Sequence, residues 1–252
     1  MMESLFVFKR VSYLYHNRFV ALNEIDLTIH GGVCSVVLGA NGSGKSTLLK
    51  MMDALIVPSK GEFYAFGERI DASALRSTGF NAGFRKRVGF VFQDADSQLF
   101  LPTVRDEIAY APLQKGVEVS RIDELVKSVA SQMGLEGILD KFPFDLSEGE
   151  KKKVAIASVF ALDPEVWLLD EPILALDPKT QWWVIELLRM LKQKGKTVII
   201  ATHNLRLARI LADVCVVLSP DHRIAKVGRG EDVLSDTELL EQNNLLHKNG
   251  VL

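Results

Sequence analysis

The residues Gly39-Ala40-Asn41-Gly42-Ser43-Gly44-Lys45-Ser46 limit what this chain can fold into more than any others. They fit the pattern G-x-x-x-x-G-K-[ST] and follow Val33–Leu38, a continuous apolar run suited to a strand buried on both faces. A helical stretch from Lys45 to about Ala54 comes next. A strand–loop–helix unit of this kind wraps backbone N–H groups around anionic oxygens and aims the helix N-terminus at them. The glycines permit the backbone angles and the close approach that this needs. Lys45 supplies a mobile positive charge for the β and γ phosphates of a nucleotide, and the Ser46 hydroxyl is a hard oxygen ligand for Mg2+. The candidate nucleotide-binding residues here are Asn41, Gly42, Ser43, Gly44, Lys45, Ser46 and Thr47.

Around this unit the apolar pattern alternates between strand and helix periods. Leu5–Val11 and the alternating Ile25, Leu27 and Ile29 read as strands ahead of the loop, and Gly61–Phe66 and Arg87–Phe92 as strands after it. From Leu99 to Ala157 the period becomes helical, with Ile122, Leu125, Val126 and Val129 on one face. Thr103…Asp106 and Ser120…Asp123 both have the spacing of a helix start. Strands return at Val166–Leu169, Val198–Ala201, Val214–Leu218 and Arg223–Val227. Between them fall a helix opened by Asp177-Pro178 and closed by Gly195, and another over Leu205–Leu211. The reading is an α/β chain of 252 residues forming one domain. It has a mostly parallel sheet, an N-terminal antiparallel part, a core over 1–93 and 159–252, and a helical insertion over 94–158.

Val166-Trp167-Leu168-Leu169-Asp170-Glu171 ends an apolar strand in two carboxylates. Ligands of parallel sheets collect at the carboxyl ends of the strands, which would set this pair beside the glycine-rich loop. Asp170 is then the candidate holder of Mg2+, and Glu171 the candidate general base for an attacking water. A net charge of -2 provides no basic field for nucleic acid, and none is expected as a partner. Cys34 and Cys215 sit in apolar strands and read as buried thiols. Nothing approaches the apolar length of a membrane span, and the N-terminus lacks the pattern of a secretion signal. The expected location is therefore cytoplasmic, with any membrane contact made through a partner.

Leu146-Ser147-Glu148-Gly149-Glu150, followed by Lys151-Lys152-Lys153-Val154-Ala155-Ile156-Ala157, resembles the L-S-G-G-Q signature of the ABC ATPases. The resemblance runs over nearly the whole chain and implies the P-loop ABC ATPase fold, ATP and Mg2+ as ligands, and hydrolysis of ATP. It implies that Gln93 contacts Mg2+ and the attacking water, that His203 meets the γ-phosphate, and that Ala175-Leu176-Asp177 forms the D-loop. Tyr15 would stack on adenine, with Tyr13 as a competitor for that role. The implied catalytic set is Glu171, His203, Gln93 and Lys45, with Ser46, Gln93 and Asp170 at the metal.

In this family Ser147 and Gly149 would contact the γ-phosphate held by a second protomer, so the resemblance implies a head-to-tail dimer with itself or a related ATPase. Glu148 and Glu150 depart from the signature. Ser147-x-x-Glu150 has capping-box spacing, which would turn the Glu150 carboxylate back toward the helix end, while Glu148 is expected to face outward. Ile173-Leu174 also stand where small polar residues are frequent.

The stretch Gln93–Phe100 with Pro102-Thr103-Val104, and the C-terminal Val233–Leu240, resemble the energy-coupling-factor and cobalt-type importer ATPases. That implies a motor peripheral to the inner face of the cell membrane, taking up a metal ion or vitamin, with membrane subunits docked through Gln93–Arg105. The alternatives are a soluble ABC ATPase of iron–sulfur assembly and a weakly catalytic, nucleotide-gated regulatory subunit.

Overall fold

The computed structural model describes residues 3–247. Two long strands, β1 (Ser4–Tyr15) and β2 (Phe19–His30), pair antiparallel, and the next, β3 (Cys34–Leu38), is buried along its whole length. The chain then turns through the glycine-rich loop into α1 (Lys45–Met52). β4 (Lys60–Ala65) returns to the free side of β1, and β5 (Glu68–Arg69) extends that sheet, giving the order β2-β1-β4-β5. Phe6 and Phe8 of β1 stack on Phe63 of β4, with ring centroids 6.1 and 4.6 Å apart. These rings belong to an apolar cluster that also takes in Leu48, Leu49, Met51 and Met52 of α1. The antiparallel sheet is thereby welded to the helix that carries the loop. Each fully buried side chain of this size contributes about 1.5–3 kcal/mol.

A 3-10 turn leads into α2 (Thr78–Arg87), a helix the apolar pattern did not signal. Gly79 and Gly83 lie inside it and lower its intrinsic propensity; the Ser77 cap and the burial of Phe84 hold it. After β6 (Val88–Val91) a loop over residues 92–103 leads into helices, with no strand among the described residues until Val166. These are α3 (Val104–Gln114), α4 (Val119–Met133) and α5 (Glu148–Leu162), with short 3-10 turns between α4 and α5. The Thr103 hydroxyl accepts from Asp106 N–H, as its spacing predicts. Ser120 does not cap: α4 begins two residues earlier with Glu118 at its N-cap. Asp123, which would have completed that box, is drawn into ion pairs with Arg105 at 2.7 Å and Lys127 at 2.6 Å.

The remaining elements alternate: β7 (Val166–Asp170), α6 (Pro178–Gln193), β8 (Thr197–Thr202), α7 (Leu205–Leu211), β9 (Val214–Leu218), β10 (Ile224–Arg229), α8 (Gly230–Ser235) and α9 (Thr237–Gln242). The second sheet has the order β10-β9-β3-β8-β7-β6, parallel throughout except for β10. Its central strands have no exposed face, so both apolar clusters press on it from opposite sides. Cys34 and Cys215 are buried free thiols on neighbouring strands. No helix among the described residues is long and apolar enough to cross a membrane.

Gly89 on β6 marks a close approach of α5 to the sheet. A Cβ built there would lie 2.5 Å from Val159 Cγ1 on α5 and 2.9 Å from Pro164 Cγ. Gly89→Ala is expected to lower stability by about 1–3 kcal/mol through overpacking, read as a reduced urea midpoint with an unchanged m-value.

Candidate functional site

The carboxyl ends of β3, β6, β7 and β8 point to one side of the sheet, and the candidate site residues sit just beyond them. β3 runs into the glycine-rich loop, β6 into Phe92-Gln93, β7 ends in Asp170 before Glu171, and β8 ends in Thr202 before His203. They surround a cavity of about 630 Å3. Of the residues singled out in the sequence, Tyr15, Asn41, Gly42, Gly44, Lys45, Ser46, Thr47, Gln93, Asp170, Glu171 and His203 line it.

Gly44 has a φ of 106°, which a side chain would strain, and a Cβ there would collide with the carbonyl oxygen of Ala21 on β2. That contact fixes the loop against the antiparallel sheet and brings Val20 and Ala21 to the cavity wall. Neither residue stood out in the sequence, because the strand signal began only at Ile25. Ser43 is the exception among the loop residues. Its side chain is buried, faces Gly39 and has no hydrogen-bond partner, so only its backbone is placed to serve a ligand.

Tyr15 and Tyr13 are separated by the structure. Tyr15 lines the cavity, with its hydroxyl 3.3 Å from Thr47 Oγ1. Tyr13 stands behind it, edge-on at 5.0 Å between centroids, and burial pushes its hydroxyl above the ordinary tyrosine range.

The charges are packed tightly. Lys45 is 6% exposed, and its ammonium donates to the carbonyls of Gly39 at 2.9 Å and Ala40 at 3.0 Å, 4.0 Å from Glu171 Oε1. Burial lowers its pKa, and Glu171 and Asp170 work against that shift. Asp170 is pushed up by burial, opposed by a hydrogen bond from Ser46. Its Oδ1 is buried without a partner.

Glu171 is 6% exposed and has a φ of 41°, a conformation that costs a non-glycine residue about 1–3 kcal/mol. Its Oε2 accepts from Thr202 Oγ1 at 2.7 Å. Its Oε1 accepts from His203 N–H at 3.0 Å and lies 2.6 Å from His203 Nδ1. Thr202 went unnoticed in the sequence, where it reads as an ordinary strand end. Leu174, in the segment after Glu171, also reaches the cavity.

Ser147, Gly149 and Asp177 are not part of the cavity wall. They lie together on another surface: a Cβ at Gly149 would sit 3.1 Å from Thr180 Oγ1 and 3.6 Å from Asp177 Oδ2. Asp177 caps α6 by accepting from the N–H groups of Lys179 and Thr180. The capping box at α5 forms as its spacing predicts. Ser147 N–H donates to Glu150 Oε2 at 2.9 Å and Glu150 N–H to Ser147 Oγ at 3.4 Å; the Ser147 hydroxyl also donates to Oε2 at 2.6 Å, and it and the Ser147 N–H hold the Glu150 carboxyl below its usual range. Glu148 faces outward, 3.5 Å from Lys151.

The family model described as "ABC transporter" matches residues 22–174. This chain belongs to the ABC transporter ATP-binding family. Another model, described as "AAA domain, putative AbiEii toxin, Type IV TA system", matches residues 143–209. A putative ABC transporter ATP-binding protein of Caldanaerobacter subterraneus subsp. tengcongensis is 45% identical over 97% of this chain and 100% of its own length. The nickel import ATP-binding protein NikO of Rhodobacter capsulatus is 44% identical, covering 90% of each chain. Among solved structures, cbiO1 of Clostridium perfringens, described as part of the ABC transporter complex cbiONQ, superposes with a TM-score of 0.79. It is 31% identical over 96% of this chain and 95% of its own. A dimeric ATP-binding cassette solved in a post-hydrolysis state with ADP and Pi gives 0.80 at 27% identity, over 89% of this chain and 98% of its own. The ABC ATPase fold and an ATP-binding, ATP-hydrolysing subunit therefore describe this chain.

The separation of the two tyrosines is open to measurement. Tyr15→Ala is expected to weaken ATP binding by about 1–3 kcal/mol, roughly 5- to 150-fold in Kd, the range for loss of one base-stacking partner. Tyr13→Phe should leave Kd unchanged in the same fluorescent-nucleotide titration.

Proposed function

We propose that this ABC ATPase is the motor subunit of a membrane importer of the energy-coupling-factor or cobalt type, with a metal ion or small vitamin as cargo. The observation that carries the reading is the placement of two consecutive residues. Gln93 lines the nucleotide cavity, while Phe92 lines an apolar groove of about 720 Å3 between the sheet core and the helical segment. α1 makes a second link, since Lys45 stands in the cavity and Asp53, just past its other end, stands in the groove. A groove so joined to a nucleotide site suits a helix of a membrane subunit. The names of the nickel import relative and of cbiO1 support the importer class.

The docking region predicted over Gln93–Arg105 needs correction in detail. Leu99 is 2% exposed and Val104 is fully buried, so they are core, whereas Phe100 is 64% exposed and meets Tyr110 edge-on. Leu99 packs inward because the segment before α3 must close over the helical core. The groove also takes its floor from β6 and from α2, α3 and α5.

In the mechanism we infer, the loop N–H groups and Lys45 bind the triphosphate, the ammonium leaving the carbonyls of Gly39 and Ala40 for phosphate oxygens. Mg2+ fits the oxygen set of Ser46, Asp170 and Gln93, and the unpartnered Asp170 Oδ1 suits a hard cation. Bound there, the ion would neutralise charge on the β and γ phosphates. Both Glu171 oxygens are engaged, Oε2 by Thr202 and Oε1 by His203, and movement of the His203 ring from Oε1 to the γ-phosphate would free Oε1 to orient a water for attack. Because Ser147 and Gly149 lie off their own cavity, a second protomer is needed to bring them to ATP, in a head-to-tail dimer. Transport would draw its free energy from the different affinity of ATP for open and closed dimers.

Glu171→Gln keeps the shape of the site and removes the proton acceptor. The variant is expected to bind MgATP, to lose at least ~100-fold in phosphate release, and to elute as a dimer with ATP where the wild type remains monomeric. Retained turnover, or no dimer with ATP, would overturn the assignment.

A further inference from the structure

Lys152 is 3% exposed and takes no part in the mechanism above. Its ammonium donates to the carbonyl of Phe92 at 2.9 Å and of Gln93 at 2.7 Å, and no carboxylate forms an ion pair with it among the described residues. A buried lysine with only carbonyl partners is costly to keep, and an apolar side chain of similar length would fill the same space more cheaply. The carbonyls it holds belong to the turn whose two residues face the groove and the nucleotide cavity. Gln98 tightens the same turn from below. Its Oε1 accepts from Phe92 N–H at 3.1 Å, and its Nε2 donates to Ala155 O of α5 at 2.8 Å. On the outer side Lys151 pairs with Asp96 at 2.8 Å. Three side chains thus tie the turn to the helix that opens at Ser147.

We propose that Lys152 is a positioning residue for ATP hydrolysis: it sets Gln93 at the cavity edge through the Phe92 and Gln93 carbonyls and, with Gln98, makes that turn and the Ser147–Leu162 segment move as one body. The glutamine of a protomer's own site and the serine and glycine it offers to its partner's site then share one rigid unit. The inference rests on the reading of Gln93 as a ligand of Mg2+ and water.

The test is a double-mutant cycle on the full chain, with kcat and the Kd for MgATP measured for Lys152→Met, Gln93→Ala and the pair. Lys152→Met is expected to lower kcat by ~10- to 100-fold while Kd stays within ~3-fold, since the loop is untouched. In the Gln93→Ala background the same substitution should cost less than ~2-fold, because it acts through the residue already removed. Lys152→Arg, which can donate to both carbonyls, should recover most of kcat. Should Lys152→Met fail to fold, Lys152→Gln, which removes the charge and keeps a shorter amide donor group, replaces it in the same cycle. An unchanged kcat for the lysine variant, an equal loss in both backgrounds, or no rescue by arginine would overturn the proposal. If Gln93→Ala itself leaves kcat intact, the reading of Gln93 falls and the proposal falls with it, an outcome distinct from failure of the clasp alone.

Discussion

The structure depends on a close backbone contact, that of Gly44 with the carbonyl of Ala21. Only a residue without a side chain fits there, at a φ of 106°, and the contact joins the two sheets where the loop opens onto the cavity. Beside it are the start of α1 at Lys45 and the placement of Val20, Ala21 and Tyr15 on the cavity wall. The parallel register supplies the rest, carrying the ends of strands distant in sequence to one edge.

The site that results is held by mutual restraint among buried charges. Lys45 is drawn to carbonyls of its own loop, Asp170 is left with an unpartnered oxygen, and Glu171 is held by Thr202 and His203 in a strained backbone conformation. Each group has a satisfied or waiting bond that a triphosphate, a cation or a water would exchange for a better one. Burial makes those exchanges strong, because charges out of water interact more steeply.

The helical segment packs on the sheet through one continuous apolar cluster. α5 meets β6 at Gly89 and the turn after β6 through Lys152 and Gln98. The departures from the family signature are absorbed locally. Glu150 completes the capping box at Ser147, and Glu148 points outward beside Lys151.

The sequence by itself determined the alternating α/β order, the loop, the acidic pair and the helix caps at Thr103, Ser147 and Asp177, because these rest on local periodicity and on bonds spanning about one helical turn. It left Tyr13 and Tyr15 as rivals, proposed a cap at Ser120, and offered Leu99 with Phe100 as an exposed pair. The structure puts Tyr15, beside Thr47, on the cavity wall and Tyr13 behind it, gives Asp123 to ion pairs with Arg105 and Lys127, and closes the helical core over Leu99. α2 carries too weak a pattern to be seen, and Thr202 becomes a holder of Glu171 only when β7 and β8 lie side by side. What only the tertiary structure decided was which groups meet across strands and between segments. No local spacing encodes those meetings, since they depend on the register of a parallel sheet and on the packing of α5 against it.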